Sequence, residues 1–519
     1  MNGVQLLLII GAGIAISSLA RRRGVEPGLV IVILAAAASF IPGMPRLELD
    51  SEAILALVVP PLLYSATRGA TFADFGANLR PIVSLGVALV VLTTGALGFV
   101  SSWLMPSLGV AAGFVLGAVL APPDTITTVS HGEQIGLPQR AVSVLTGESL
   151  VNDATALTLF TIAVEAVNGA HTTFGGGVRE LARTAFVGIG IGWLLAVGAL
   201  VIRKRLANAT LETSLVLLVP FTAFLLAEEV HASGILAVVA ASFMISINLT
   251  LDPKHQYPGA YRARVQESSV WPVLDFLLET FVFAYIGLQL RFVLADLAES
   301  AEPGLRRTLV AAALLLIVAI VFRLAGVFVL FGRWTLRHRS SLRRAERDPR
   351  YRLAMEKRRA RRTRRGGEPL EPPTMKESLL VGWTGMRGIL TLAAAAAVPE
   401  TTSTGAPFPG RDAIQAIALI VTLGTLLIQG TTLRLIAGRL RFDLGAERAE
   451  RAAMRRRGRE VIEAVAAGPD ADETFERQRR AVTAAIGEHR VDERVARELI
   501  EEIDLRQVAY HSTDPGKRH

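Results

Sequence analysis

Apolar residues fall in long runs along the chain, and short polar stretches separate these runs. A helix needs about 20 mostly apolar residues to cross the hydrocarbon core of a bilayer, and the runs match that length. We therefore predict an all-α polytopic membrane protein with about 13 transmembrane helices. The predicted helices begin near Val4, Pro27, Ser51, Leu79, Leu108, Gln139, Val178, Leu211, His231, Val270, Leu305, Lys376 and Asp412.

Basic residues lie in alternate stretches between these runs, as the positive-inside rule expects of short cytoplasmic loops. The clusters are Arg21 to Arg23, Arg68 with Arg80, Arg140, Arg203 to Arg205, Lys254 with Arg262 and Arg264, and the run from Arg333 to Arg365. This pattern predicts an amino terminus outside and a carboxyl terminus in the cytoplasm. A cleaved signal peptide carries its basic residues before the apolar run, whereas here they follow it. We interpret the run from Val4 to Ala20 as the first spanning helix.

Two polar segments interrupt or follow the apolar pattern. Residues 333–373 are too rich in arginine to bury, which predicts a cytoplasmic loop. Its part 333–365 either contacts anionic lipid head groups or is simply solvated. After Arg441 the chain turns polar with helical spacing of apolar residues. We predict a transmembrane domain over 1–441 and a cytoplasmic helical tail over 442–519, which either regulates the protein or caps it.

Composition excludes several classes of function. The chain is 51% hydrophobic with a net charge of +9, and the basic residues lack interleaved aromatic residues, so we expect no nucleic-acid binding. With 0 cysteines, disulfides and thiolate chemistry are excluded. The 8 histidines are scattered without ligand spacing, so we predict no zinc site. No nucleophile elbow or phosphate-binding glycine loop is found, so we expect neither an enzyme nor a cofactor.

Two of the predicted helices are interrupted at membrane depth. The fifth carries Pro122 and Pro123, which remove two backbone donors in its middle. The twelfth is interrupted by the glycine-rich stretch 382–388, which also holds the permanently charged Arg387. If the seventh helix is a linker, each break occupies the fifth position of a six-helix unit. Because such pairing is typical of inverted repeats around a midplane site, we predict two inverted six-helix repeats with crossed broken helices.

The sixth run carries the candidate chemistry. Ser149 and Asp153 share one helical stripe, and Glu148 and Asn152 share the next. Charges inside spanning helices are costly, so each is a candidate functional site. We predict that Glu148 pairs with Arg387, which leaves the carboxylate of Asp153 to bind a cation.

Buried polar groups also hold helices together, and for Ser149 or Thr155 alone that interpretation is equally good. It does not explain why Glu148, Asn152, Asp153, Asp124 and Arg387 occur together beside two breaks. For Asp275, Glu279, Glu228 and Arg323 we expect structural pairing or an interfacial position at least as readily as transport.

The stretch from Gly147 to Asp153 resembles the "GESLxND" helix of the monovalent cation:proton antiporter family, which includes bacterial NhaP and animal sodium/proton exchangers. Further motifs agree in order: Pro60-Pro61-Leu62-Leu63-Tyr64, Pro122-Pro123-Asp124, Ala227-Glu228 with Ser233 to Ala237, Glu279 to Phe283 with Ile286-Gly287, and Gly385-Met386-Arg387-Gly388. Together they span roughly Pro60 to Pro399.

The resemblance implies a homodimer in which a six-helix core moves relative to a dimerisation domain, in an elevator-like step. It also implies that Asp153 binds the ion and the proton, that Asn152 positions the site, and that Ser149 is a hydroxyl ligand. The implied cation and proton site comprises Asp153, Asn152, Ser149 and Asp124, with Asp153 and Ser149 as the metal ligands. The implied core around it comprises the Glu148–Arg387 pair with Pro123 and Thr125, and Asp124 stabilises the crossing of the broken helices.

This chain departs from many relatives at two places. They have threonine before the aspartate of the fifth helix and proline after it, whereas here Pro123 precedes Asp124 and Thr125 follows. They also have a carboxylate where this chain has Ser65. A side-chain ligand on the fifth helix and an acidic contribution from the third are therefore not expected.

The function expected from these residues and the resemblance is exchange of Na⁺, or of Li⁺ or K⁺, for H⁺ by a multi-pass protein of the bacterial inner membrane, serving pH homeostasis. Asp153 would bind either a proton or a cation. Asn152, where electrogenic relatives have a second aspartate, suggests electroneutral one-for-one exchange. Hard oxygen ligands do not choose among the three metal ions. A K⁺/H⁺ antiporter, a cation channel on the same scaffold, and a non-transporting membrane sensor or scaffold remain alternatives.

Overall fold

The computed structural model describes residues 3–23, 25–44, 51–68, 75–76, 78–124, 136–169, 174–206, 208–251, 259–299, 304–363 and 372–513. Within these ranges the elements are helices joined by turns, apart from one isolated antiparallel bridge between Thr401 and Pro407. The predicted all-α fold is confirmed. Lys254 and residues 364–371 lie outside the described ranges.

The helices follow the predicted order. The first ten are α1 (Gly3–Arg22), α2 (Pro27–Ala38), α3 (Ser51–Arg68), α4 (Leu79–Leu104), α5 (Gly109–Leu120), α6 (Gln139–Val167), α7 (Phe174–Leu206), α8 (Ala209–Glu229), α9 (Gly234–Leu251) and α10 (Ala260–Leu288). The others are α11 (Leu290–Glu299), α12 (Leu305–Arg347), α13 (Pro349–Thr363), α14 (Met375–Trp383), α15 (Ile389–Ala396), α16 (Arg411–Leu440), α17 (Gly445–Glu463), α18 (Ala471–Gly487) and α19 (Glu493–Thr513).

A helix begins close to every predicted start but one: the tenth, expected near Val270, begins earlier, at Ala260. Within the described ranges, 8 helical stretches are long and apolar enough to cross a membrane. Shorter apolar helices cover Pro27–Ala38, Pro106–Leu120 and Gly234–Asn248. The count of about 13 spans and the inverted repeats stay predictions.

The basic segment after Arg333 is helical, where the sequence predicts a loop. Helix α12 runs unbroken from Leu305 to Arg347, a length of 43 residues, and α13 follows it. Arginine is a good helix former, and no proline or glycine stands between Arg333 and Asp348, so an established helix propagates through the charged residues. It ends at Asp348, because the residue before a proline disfavours the helical conformation.

Two large hydrophobic cores divide the spanning helices. One is built mainly from α3, α7, α8, α9 and α10, and the other mainly from α4, α5, α12 and α16. Helix α6 contributes Leu150 and Ala154 to the first core and Ala163 to the second. Helix α15 is shared in the same way, through Leu390 and Ala394. These two helices therefore lie on the boundary between the cores.

The last three helices, α17 to α19, pack around a separate core that includes Ile462, Val482, Val495 and Leu499. This unit contacts the spanning helices through α19, whose Asp504 pairs with Arg264 of α10.

Candidate functional site

The first break begins where α5 ends at Leu120, and residues 121–124 have no regular secondary structure. Pro122 and Pro123 cannot donate backbone hydrogen bonds, so carbonyls near the break are left for other partners. The Leu120 carbonyl accepts from Arg387 Nε at 3.0 Å, and the Pro123 carbonyl accepts from Asn152 Nδ2 at 2.7 Å. Side chains from two other elements thus satisfy the backbone that the prolines interrupt.

The second break separates α14 from α15 over residues 384–388. Helix α14 starts in a capping box, in which Thr374 and Glu377 each bond the backbone of the other. The amide of Arg387 donates to Thr425 Oγ1 on α16 at 2.9 Å. These bonds fix both sides of the irregular segment.

The two breaks meet directly. The amide of Asp124 donates to the carbonyl of Met386 at 2.6 Å. The Asp124 carboxylate lies against Gly388 so closely that a Cβ at that position would overlap it. The sequence predicts that the two broken segments contact each other, and the described residues show this contact. Thr125 lies outside the described residues.

The polar face of α6 points into this meeting point. Glu148, Ser149, Asn152 and Asp153 are all buried, although they lie on a helix long and apolar enough to span a membrane. Asn152 holds the first break through its amide. The hydroxyl of Ser149 is buried without a hydrogen-bond partner in the described part of the chain.

Asp153 lines a small cavity of about 20 Å³ between the breaks, whose walls include Asp124, Gly388 and Thr391. The charged groups that act on Asp153 are Asp124 and Glu148, both of them carboxylates. A second small cavity of about 30 Å³ shares Asp124 and Gly388 as walls and is lined further by Glu279 and Arg387. Asp153 thus has space beside it and acidic neighbours.

The predicted Glu148–Arg387 pair is wrong, because the structure pairs Glu148 with Arg323 of α12. Arg323 Nη1 lies 2.6 Å from Glu148 Oε1, and Nη2 lies 3.1 Å from Oε2, in a buried two-pronged contact. Arg387 is committed to the breaks instead, through the carbonyls of Leu120 and Gly385. A guanidinium presents five donors in a fixed fork, so it can satisfy several exposed carbonyls at once.

Thr155 and Ser65 have structural partners. The Thr155 hydroxyl donates to the Val151 carbonyl of its own helix at 2.9 Å, which is the local bond typical of a threonine within a helix. Ser65, which stands where relatives have a carboxylate, donates to Asp275 of α10. An acidic group is therefore supplied at this position by α10 rather than by α3.

The sequence leaves Glu228, Arg323 and Glu279 open between a structural role and a role in transport, and the structure places them differently. Glu228 accepts a hydrogen bond from the amide of Gly234 at 3.1 Å, and Arg323 pairs with Glu148, which are structural contacts. Glu279 instead lines the second cavity beside Asp124 and Arg387.

Sequence reasoning missed two features near the site. Thr391 lines the Asp153 cavity, and its position shortly after the second break was a visible signal. The other is a pair of π-helical turns, Ser84–Leu89 in α4 and Leu426–Gly430 in α16. Such turns are frequent at functional sites. Each of these contains one glycine, Gly86 or Gly430, but a single glycine does not distinguish a π-helical turn from an ordinary helix in the sequence.

Residues 4–438 match the family model described as the transmembrane sodium/hydrogen exchanger. An uncharacterized Na⁺/H⁺ exchanger of Mycobacterium tuberculosis (strain ATCC 25618 / H37Rv) is 31% identical over 435 residues, which cover 83% of this chain and 73% of that protein. The sodium, potassium, lithium and rubidium/H⁺ antiporter of Bacillus subtilis (strain 168) is 27% identical over 452 residues, which cover 84% of this chain and 62% of that protein.

The fold is similar to that of the sodium proton antiporter MjNhaP1 from Methanocaldococcus jannaschii, with a TM-score of 0.60. The match covers 84% of this chain and 97% of that one at 15% sequence identity. At that identity the likeness concerns the fold alone.

Proposed function

Because the chain belongs to the sodium/hydrogen exchanger family, whose members are membrane transporters, we propose that it exchanges Na⁺ for H⁺ by competition at Asp153. The observation that carries this proposal is the buried Asp153 carboxylate, which lines a cavity between two broken helices and has the carboxylates of Asp124 and Glu148 near it. A buried carboxylate is unfavourable unless a proton or a cation neutralises it. Each occupant then displaces the other, which couples their movements.

Ser149 and Asn152 have different roles in this proposal. The Ser149 hydroxyl shares the Asp153 stripe of α6 and joins the cation ligands. Asn152 is neutral and holds the first break through the Pro123 carbonyl. Asp153 is then the carboxylate on this face of α6 that is left to bind a cation or a proton, since Glu148 pairs with Arg323. This supports a one-for-one, electroneutral exchange.

An elevator-type movement is the proposed route for the loaded site. Helices α6 and α15 lie on the boundary between the two large hydrophobic cores, so relative movement of the cores would carry the site with one of them. Homodimer formation follows from the resemblance, in which a dimerisation domain stays fixed while the core moves.

The proposed setting is the inner membrane of a bacterium, with the amino terminus outside and the carboxyl terminus in the cytoplasm. The proposed domain boundary lies after Arg441, where α16 has ended and the chain leads into the separate core of α17 to α19. The arginine-rich helices that continue from α12 into α13 would then face anionic lipid head groups on the cytoplasmic side.

K⁺ and Li⁺ are alternative substrates. The Bacillus subtilis relative is named for sodium, potassium, lithium and rubidium, and oxygen ligands accept all of these ions. A K⁺/H⁺ antiporter on the same site is therefore the second candidate.

Proton efflux from acid-loaded proteoliposomes tests the proposal, with Na⁺, Li⁺ or K⁺ added outside at several pH values. We expect cation-driven efflux from the native chain and its loss in Asp153→Asn. Glu165→Gln, which changes an exposed carboxylate on the same helix, is the matched control and should keep the native rate.

Efflux retained in Asp153→Asn would rule out competition at this residue. A current through the membrane would indicate a channel, and no flux from the native chain would favour the sensor or scaffold.

A further inference from the structure

Thr391 has a buried hydroxyl that its own helix does not use. Its side chain is 1% exposed, and Oγ1 has no hydrogen-bond partner within the described ranges. Some buried threonines in this chain donate to the carbonyl four residues earlier, as Thr93 does to Leu89 at 2.7 Å and Thr67 to Leu63 at 2.6 Å, whereas Thr94, Thr213 and Thr422 share the unpartnered state of Thr391 in the described ranges. For Thr391 the missing bond has a local cause.

The reason lies in its position just after the second break. Gly388 is the N-cap of α15, so Thr391 is the third residue of the helix. The residue four positions earlier is Arg387, which lies in the irregular segment 384–388 rather than in a preceding helical turn. The hydroxyl therefore has no helical carbonyl behind it to accept its proton.

Thr391 also lines the cavity that holds Asp153 and Asp124. The other unpartnered hydroxyl beside this site belongs to Ser149, one helical turn from Asp153 on α6. Two hydroxyls without internal partners thus flank one carboxylate, one from each of the helices that lie on the boundary between the cores.

A dehydrated monovalent cation prefers hard oxygen ligands, which a carboxylate and hydroxyls supply. The first turn of α15 carries partial positive charge, which by itself would repel a cation. The Asp124 carboxylate lies against Gly388 at that helix start and offsets this charge. A cation can therefore bind beside the first turn of α15 without net repulsion.

We propose that Thr391 is a ligand of the transported cation, offering Oγ1 from α15 opposite Asp153 and Ser149 on α6. The proposal rests on the proposed cation/proton exchange and adds a ligand from the second broken helix. A cation bound in this way links α6 to α15, whereas a proton on Asp153 does not need Thr391.

The test measures the apparent KM for Na⁺ of proteoliposome exchange in Thr391→Val, Thr391→Ala and Thr391→Ser. We expect KM to rise about tenfold in the variants without a hydroxyl, the scale of losing one contact to a charged group. Thr391→Ser retains the oxygen and should keep KM within about twofold of the native value. Thr213→Val, which removes a buried unpartnered hydroxyl on α8 outside both cavities, should leave KM unchanged.

A second measurement needs no transport, namely the rise in melting temperature of the purified protein when Na⁺ is added. The rise should shrink in Thr391→Val and Thr391→Ala but persist in Thr391→Ser. An unchanged KM and an unchanged Na⁺ effect in either folded hydroxyl-free variant would overturn the assignment, as would equal losses in Thr391→Ser and Thr391→Val. If the native chain does not exchange ions but Na⁺ stabilises it through Thr391, the proposed function fails and the ligand assignment stands.

Discussion

Glu148 and Arg323 join α6 to α12 by an ion pair from which water is excluded, since both side chains are 3% exposed or less. Removing one member of such a pair leaves the other charge buried and uncompensated. At the residue scale, this pair holds the α6 face in place and engages Glu148, one of the two carboxylates that lie near Asp153.

We expect Glu148→Gln to lower the free energy of unfolding by about 3–5 kcal/mol, because it leaves Arg323 buried without its carboxylate. The matched control is Glu180→Gln, which breaks the exposed pair with Arg183 and should change stability far less, because solvent screens that pair. Chemical denaturation in detergent measures both.

A double-mutant cycle distinguishes the observed partner from the one that the sequence predicts. Glu148→Gln should be strongly non-additive with Arg323→Gln, because the two residues share one interaction. If the non-additivity appeared with Arg387→Gln and not with Arg323→Gln, the observed pairing would be wrong.

At the element scale, the site depends on how closely two non-helical segments approach. The amide of Asp124 bonds Met386, and the Gly388 backbone packs on the Asp124 carboxylate. Gly388 has an extended backbone with φ −127°, so its small size rather than its conformational freedom is what this contact requires.

Gly388→Ala should therefore push the two non-helical segments apart. We expect a loss of about 1–3 kcal/mol in stability from overpacking, together with reduced exchange. The comparison is Gly95→Ala on α4, where a Cβ meets nothing within 4 Å and alanine favours the helix. Melting temperature and proteoliposome flux report the two effects. Native flux in a folded Gly388→Ala protein would show that the close approach is not needed.

At the scale of the whole molecule, the tail is tied to the spanning helices at several points. Asp504 of α19 accepts from Arg264 of α10 at 2.6 and 2.8 Å and from Arg479 of α18 at 2.8 Å. Arg497 donates to the carbonyl of Arg68 at the end of α3 and to Ser246 on α9. The tail thus contacts the helices that build the first core, although the chain enters it from α16 of the second.

We expect Asp504→Ala to release α19 from α10, since it leaves two arginines without their shared carboxylate, at a cost of about 3–5 kcal/mol. Hydrogen exchange over residues 493–513 should speed up. Glu501→Ala removes an exposed carboxylate on the same helix and should leave exchange unchanged. Equal protection of α19 in both variants would show that the Asp504 contacts do not hold the tail.

The sequence by itself determined the helical order, the two breaks and the polar face of α6. These features depend on local physics: the length of apolar runs, the missing amide of proline, and the 3.6-residue period that puts Ser149 and Asp153 on one stripe. The sequence could also have predicted that the basic segment is helical, because an arginine-rich stretch without proline favours a helix.

Only the tertiary structure decided which residues meet across helices. Glu148 and Arg323 are 175 residues apart, and two buried arginines were available to the same carboxylate. Asp275 reaches Ser65 across 210 residues, and Thr391 joins the Asp153 cavity only because the breaks cross. Helical periodicity fixes neighbours within one helix, whereas the packing of distant helices selects one partner among several of equal chemistry.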